Sequence, residues 1–191
     1  MAFSKFIIVY EAINHELWRL YGLKSIAKEE LRYQRFHKTF QFFNYENMIL
    51  AKLWADEYLT ISPYKTHLVE GTMDVLSYLK DKYELHLITN GFKEVQYIKL
   101  EQCQLKPFFN HILISEEQGF NKPDIRIFKL AERLVNARVE ECVMIGDNFE
   151  VDVEGALNAN WKAIHLSEII KEQSHVNYRQ IQKLIQLKEL L

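Results

Sequence analysis

The chain has 191 residues, 48% of them apolar and 13% aromatic, which is enough to bury the core of one domain with a small appended one. The formal net charge is −2, and no basic stripe or long like-charge run argues for nucleic acid or an anionic membrane surface as partner. A small molecule or another protein is the expected partner, with the chain a monomer or homodimer. Cys103 and Cys142 form no CxxC pair and lie near no His at metal-ligand spacing, so they read as reduced thiols. No run of about 18 apolar residues offers a membrane span. The apolar stretch in MAFSKFIIVYEA is too short for a secretory signal, so a cytoplasmic location is expected.

The first third reads as helical. Ile7, Tyr10, Ile13, Leu17, Leu20 and Tyr21 recur at spacings of three and four, with Ser4 placed to cap the start and Gly22 the end. A second helix is expected from near Ser25, in SIAKEELRYQRFHKTFQFF, and a third over residues 45–59. Ser62-Pro63 marks a boundary. Residues 1–65 therefore form one helical unit. Its aromatic residues Trp18, Tyr21, Tyr33, Phe36, Phe40, Phe42 and Phe43 fit a packed interior better than a ligand-binding wall.

From Thr66 the texture changes. Strands are expected at Leu85–Thr89, Ile112–Ser115, Cys142–Ile145 and Ala163–Leu166. Helices are expected at 72–82, 93–103, 124–136 and 149–159, and a tail helix at 177–190. This alternation implies an α/β unit over residues 66–191, a Rossmann-like parallel sheet with helices on both faces. In such sheets ligands sit at the carboxyl ends of the strands. Thr89-Asn90-Gly91 follows the first strand, Lys122-Pro123 lies beyond the second, and Gly146-Asp147 follows the third with Asp152 five residues later.

That set suits phosphoryl transfer, which needs charge neutralisation, donors to the phosphoryl oxygens and an in-line nucleophile. Thr89 offers a hydroxyl, with backbone N–H groups near it. Lys122 offers a compact positive charge. Asp147 offers a hard oxygen of the kind Mg²⁺ prefers, and Asp152 can hold a metal-bound water or orient Lys122. Singly, each has a plainer reading as a cap, a turn residue or a solvated lysine. The histidines, among them His15, His37, His86, His111 and His165, show no pairing that suggests a metal site or a triad. The chain has no GxxxxGK[ST] or GxGxxG loop. Receiver domains of two-component signalling also use Asp, Thr and Lys, but there the Lys follows the acidic residues, whereas Lys122 precedes Asp147.

The ordered set resembles the haloacid dehalogenase-like (HAD) hydrolase superfamily. LHLITN is similar to its second motif, NKPD to its third and VMIGDNFEVD to its fourth. The strings ITNGF and ISEEQGFNKPDIRIF, and upstream YEAINHELWRLYG and EELRYQRF, most resemble the bacterial branch that includes pyrimidine 5′-nucleotidases. The resemblance implies Thr89, Asn90, Gly91 and Lys122 as phosphate-binding groups, Asp147 as the Mg²⁺ ligand and Asp152 as a supporting acid. It also implies residues 1–65 as a helical cap, and a small phosphate ester such as a nucleoside monophosphate as substrate.

The family's first motif, a strand ending in DxDxT, supplies the aspartate that attacks phosphorus and a second that moves protons. No DxD occurs among residues 1–191. A degenerate first strand at FIIVYEA, with Tyr10 or Glu11 replacing the nucleophile, is one reading, but the helical spacing runs unbroken through it. The resemblance therefore implies that the chain starts inside the cap, that the central strand is missing, and that the natural protein is longer. Three functions follow as expectations. They are an Mg²⁺-dependent phosphomonoester hydrolase when complete, a non-catalytic binder of phosphate or a partner, and a metal-free dehalogenase.

Overall fold

The structure, a computed structural model, describes residues 3–169 and 175–191. It divides into two compact units, Met1–Lys65 and Thr66–Leu191.

Among its described residues the first unit has three α-helices, α1 (Phe3–Gly22), α2 (Lys28–Phe42) and α3 (Met48–Ile61), and a closing 3₁₀ turn at Ser62–Tyr64. Ser4 lies inside α1 rather than capping it, and α2 begins three residues after Ser25, with Ala27 at its cap position and no side-chain cap. Asn47 caps α3 by accepting from Leu50 N at 2.9 Å. Small Ala51 and Ala55 on α3 leave room for the rings of Phe6, Phe36 and Phe40, and these five residues form a buried cluster, with Leu17 and Leu31 also buried in the unit. Tyr33 and Phe43 pack against it, whereas Phe42 is exposed.

Among its described residues the second unit carries five parallel strands: β1 (His86–Thr89), β2 (His111–Ile114), β3 (Val143–Gly146), β4 (Lys162–Leu166) and β5 (Tyr178–Ile181). They form two sheets, one of β1 and β2 and one in the order β3-β4-β5. No ladder joins β1 to β3 among the described residues. A cavity of about 650 Å³ is lined by both strands, Leu85 to Thr89 on one side and Val143 to Asp147 on the other.

Strand β5 corrects the expected tail helix at 177–190. The sequence NYRQIQKLIQ carries helix-compatible spacing, but Ala163 and Ile164 pair in register with Tyr178 and Arg179. Satisfying the outer edge of β4 and burying Tyr178 and Ile181 outweighs local propensity. Only a 3₁₀ turn at Leu184–Gln186 and the short α9 (Leu187–Leu190) remain helical. The stretch expected as one helix over 149–159 is a π-type turn at Phe149–Glu154 followed by α8 (Gly155–Asn158).

Side chains alternate across β4 as a two-sided sheet requires. Ala163 joins Tyr178, Phe128 and Ile127 in one core, with the two latter residues on α7 (Ile125–Val135). Ile164 joins Val75 and Leu79 of α4 (Thr72–Lys80), Ile181 and Leu187 in another. α5 (Lys93–Gln102) links the first two strands, and α6 (Ser115–Gln118) follows β2 directly.

Candidate active site

Thr89 and Asp147 stand at or just after strand ends, Lys122 lies in the loop between α6 and α7, and Asp152 sits in the π-type turn Phe149–Glu154. Thr89 closes β1, and its Oγ1 accepts from Gly91 N at 3.0 Å. The hydroxyl proton therefore remains able to donate. Asn90 is committed elsewhere. Its Nδ2 donates to Lys122 O at 2.8 Å, and its Oδ1 accepts from Lys122 N at 2.9 Å and Ser115 Oγ at 2.7 Å. One amide thus ties the ends of β1 and β2 to the loop that carries Lys122.

Lys122 is 7% exposed and Asp152 5%. The Lys122 ammonium donates to Ile88 O at 2.7 Å and lies 2.7 Å from Asp152 Oδ1. The other carboxylate oxygen of Asp152 accepts from Asn148 N at 3.1 Å. Asn148 in turn caps the turn that presents Asp152, accepting from Val151 N at 2.9 Å. Asp152 packs so closely on Gly146 that a Cβ there would lie 2.3 Å from Asp152 Oδ2.

Asp147 is exposed, and among the described residues no hydrogen bond or ion pair engages its carboxylate. Its backbone is held from behind. His165 Nε2 lies 3.1 Å from Asp147 O, and a carbonyl can only accept, so Nε2 carries the proton. Buried His165 also has Nδ1 3.5 Å from the Tyr178 hydroxyl and packs edge-on against Phe149 at 5.5 Å. Sequence reading passed over His165 and Ser115 as anchors. Their only signal was position, at strand ends beside Gly146 and Asn90.

Thr89, Lys122, Gly146, Asp147 and Asp152 all line the cavity between β1 and β3. Among the described residues no group of three or more His, Cys, Asp or Glu side chains is placed to hold a metal by itself. The exposed Asp147 carboxylate still fits Mg²⁺, which commonly takes one or two carboxylates and completes its shell with water and phosphate oxygens. Charge points the same way. Two carboxylates, Asp147 and Asp152, and one ammonium, Lys122, line the cavity, a net negative balance that a divalent cation would offset.

The haloacid dehalogenase-like hydrolase family matches residues 10–160. The chain belongs to that family. It is 31% identical over 147 residues to YfnB of Bacillus subtilis and 32% over 152 residues to the pyrimidine 5′-nucleotidase PynA of Streptococcus pneumoniae, covering 76% and 78% of this chain. It is 30% identical over 165 residues to the pyrimidine 5′-nucleotidase YjjG of Escherichia coli, covering 86% of this chain. These matches span 62%, 63% and 72% of the respective relatives. A crystal structure of YfnB bound to magnesium superposes with a TM-score of 0.86 at 27% identity, over 100% of this chain and 84% of that one. The similarity places the HAD-family chain in the company of the nucleotidase branch. No helix among the described residues is long and apolar enough to cross a membrane.

Proposed function

We propose that this chain forms the phosphate-handling part of an Mg²⁺-dependent phosphomonoester hydrolase acting on a small phosphate ester, of which a nucleoside monophosphate is the first candidate. The observation that carries the reading is the Lys122 ammonium, held 2.7 Å from both Asp152 and the Ile88 carbonyl at the mouth of a cavity that Thr89 and Asp147 also line. Lys122 and the Thr89 hydroxyl bind and orient the phosphoryl oxygens. Asp152 and Asn90 are positioning residues, the first through the ammonium and the second through the backbone of Lys122. Asp147 would hold the Mg²⁺, which when bound neutralises charge on the phosphoryl group.

An aspartyl-phosphate route needs a nucleophilic carboxylate brought to this cavity by residues other than 1–191, since no DxD occurs among them. Residues 1–191 alone are therefore expected to bind phosphate without turning it over, which is the second reading in its simplest form. The exposed carboxylate of Asp147, a hard oxygen ligand, favours the metal-using phosphohydrolase over metal-free dehalogenation.

The test is phosphate release from pyrimidine nucleoside monophosphates, with and without Mg²⁺, by a form of the protein that contains a DxD segment. Metal-dependent release supports the proposal. Halide release from a 2-haloacid without metal, or metal-independent silence toward every phosphate ester, overturns it.

A further inference from the structure

The two aspartates beyond β3 are held in different ways. Asp152 is fixed through its side chain, by the Lys122 ammonium at 2.7 Å and by Asn148 N at 3.1 Å. Among the described residues no hydrogen bond or ion pair engages the Asp147 carboxylate. Its direction therefore depends on the Cα–Cβ bond, and so on how firmly the Asp147 backbone is held. Strand β3 ends at Gly146, which pairs with His165 in the ladder to β4. Past that pair the chain leaves the sheet, and the next carbonyl, Asp147 O, still needs a donor.

The donor is the side chain of His165, whose Nε2 lies 3.1 Å from Asp147 O. The imidazole is itself fastened on its other sides. The Tyr178 hydroxyl stands 3.5 Å from Nδ1 and donates to Gln180 Oε1 at 3.0 Å. The Phe149 ring packs edge-on against the imidazole at 5.5 Å, and His165 and Tyr178 are both buried. Phe149 opens the π-type turn that carries Asp152. One imidazole thus meets the backbone of one acidic residue and the root of the turn that presents the other. An aliphatic side chain at this position would fill space but leave Asp147 O without this donor.

We propose that His165 is a positioning residue for Mg²⁺ binding by Asp147. The inference rests on the reading of Asp147 as the Mg²⁺ ligand. His165 acts through the Asp147 peptide rather than on the ion. It fixes that peptide before the ion arrives, so less ordering of the ligand remains to oppose binding.

The experiment is Mg²⁺ titration of the 191-residue chain by calorimetry, with a urea melt of each variant. His165→Phe keeps a ring and loses the donor, whereas His165→Gln keeps an N–H within reach of the carbonyl. Affinity is expected to fall about tenfold in His165→Phe and to recover to within about threefold of the unaltered chain in His165→Gln. A merely structural role would instead make affinity follow the unfolding free energy through both variants. Should His165→Phe fail to fold, nuclear magnetic resonance of the unaltered chain carries the comparison. There Mg²⁺ is expected to shift the His165 Nε2–H resonance, and to leave it in place in Asp147→Asn. Full affinity in His165→Phe, no recovery in His165→Gln, affinity that tracks stability alone, or a His165 resonance indifferent to Mg²⁺ overturns the proposal. If Asp147→Asn still weakens binding in that case, Asp147 stands as the ligand and only the role of His165 falls. Full Mg²⁺ affinity in Asp147→Asn removes the metal reading and this inference with it.

Discussion

Lys122 and Asp152 form an ion pair at 2.7 Å in which neither side chain is more than 8% exposed. Removing one member leaves the other buried without compensation, which costs about 3–5 kcal/mol for such pairs. Asp152→Ala is therefore expected to lower the urea unfolding free energy by about that amount. Asp152→Asn, which keeps an acceptor for Lys122 and for Asn148 N, is expected to lose less. Equal losses in the two variants would show that the packing of the side chain, and not its charge, is what matters.

Gly146 has a second job beyond ending β3. Its missing Cβ makes room for Asp152, whose Cβ and Cγ would lie 2.5 and 2.6 Å from an added methyl. Contacts that short force backbone or carboxylate to move, at a typical cost of about 1–3 kcal/mol. Gly146→Ala is expected to destabilise the chain by that order and to weaken phosphate binding at the strand tips. The pair of measurements is a urea melt and a phosphate titration, and a stable variant with intact binding contradicts the assignment.

Asp147 differs from Asp152 in standing exposed and unengaged, although both follow the same strand. Asp147→Asn removes the charged oxygen with little change of shape. It is expected to weaken Mg²⁺ binding about tenfold or more, measured calorimetrically, while leaving the unfolding midpoint nearly unchanged, because no protein partner loses a contact. A large fall in stability with unchanged Mg²⁺ affinity would reverse the roles assigned to the two aspartates.

The sequence pointed to candidate residues at strand ends but carried no signal for several contacts that hold them together. Short apolar runs announce β1 and β3, which made Thr89, Lys122, Asp147 and Asp152 readable as candidates beyond strand ends, and the structure brings these four to one cavity. The 2.7 Å contact of Lys122 with Asp152, across 30 positions of chain, has no local signal, and neither does the fastening of the Lys122 loop by Asn90. Strand β5 was hidden for a related reason. Tyr178–Ile181 is a strand because β4 offers it an edge, whereas its own residues and those after it carry spacing that also suits a helix. Nothing in the sequence sets Arg35 apart from the other charged residues of α2, yet the structure buries it.

His86 sits opposite His111 in the β1–β2 ladder, with the rings stacked at 5.3 Å. Burial, reinforced by the charge of His111 and opposed by Glu84, holds His86 below the usual histidine range. The folded form thus resists protonation more than the unfolded chain does. The stability this contributes is present above the ordinary value of 6.5 and is lost as pH falls below it toward the depressed folded value. Urea midpoints are expected to drop between pH 7 and pH 5, and to drop less in His86→Leu. An identical slope in the variant would assign the acid sensitivity to another group.

The two thiols are expected to behave differently toward a disulfide reagent. Cys142 is buried at the start of the β3 region, with its Sγ 3.4 Å from Arg138 O, whereas Cys103 is half-buried. Burial, with Glu132 and Glu141 adding to it, pushes the Cys142 thiol from 9.0 up to about 11. The thiolate is the reactive form, so at pH 8 the folded chain should label at Cys103 first and at Cys142 only after urea is added. The same shift sets an alkaline limit. The unfolded thiol ionises near 9 and the folded one near 11, so its contribution to stability is complete below the first value and lost as pH rises through the second. Cys142→Ala is expected to flatten the fall in urea midpoint over that interval, at the cost of a small cavity. Rapid labelling of Cys142 in the native chain would mean that the wall it forms with Trp161 and Ala163 opens far more often than a packed core should.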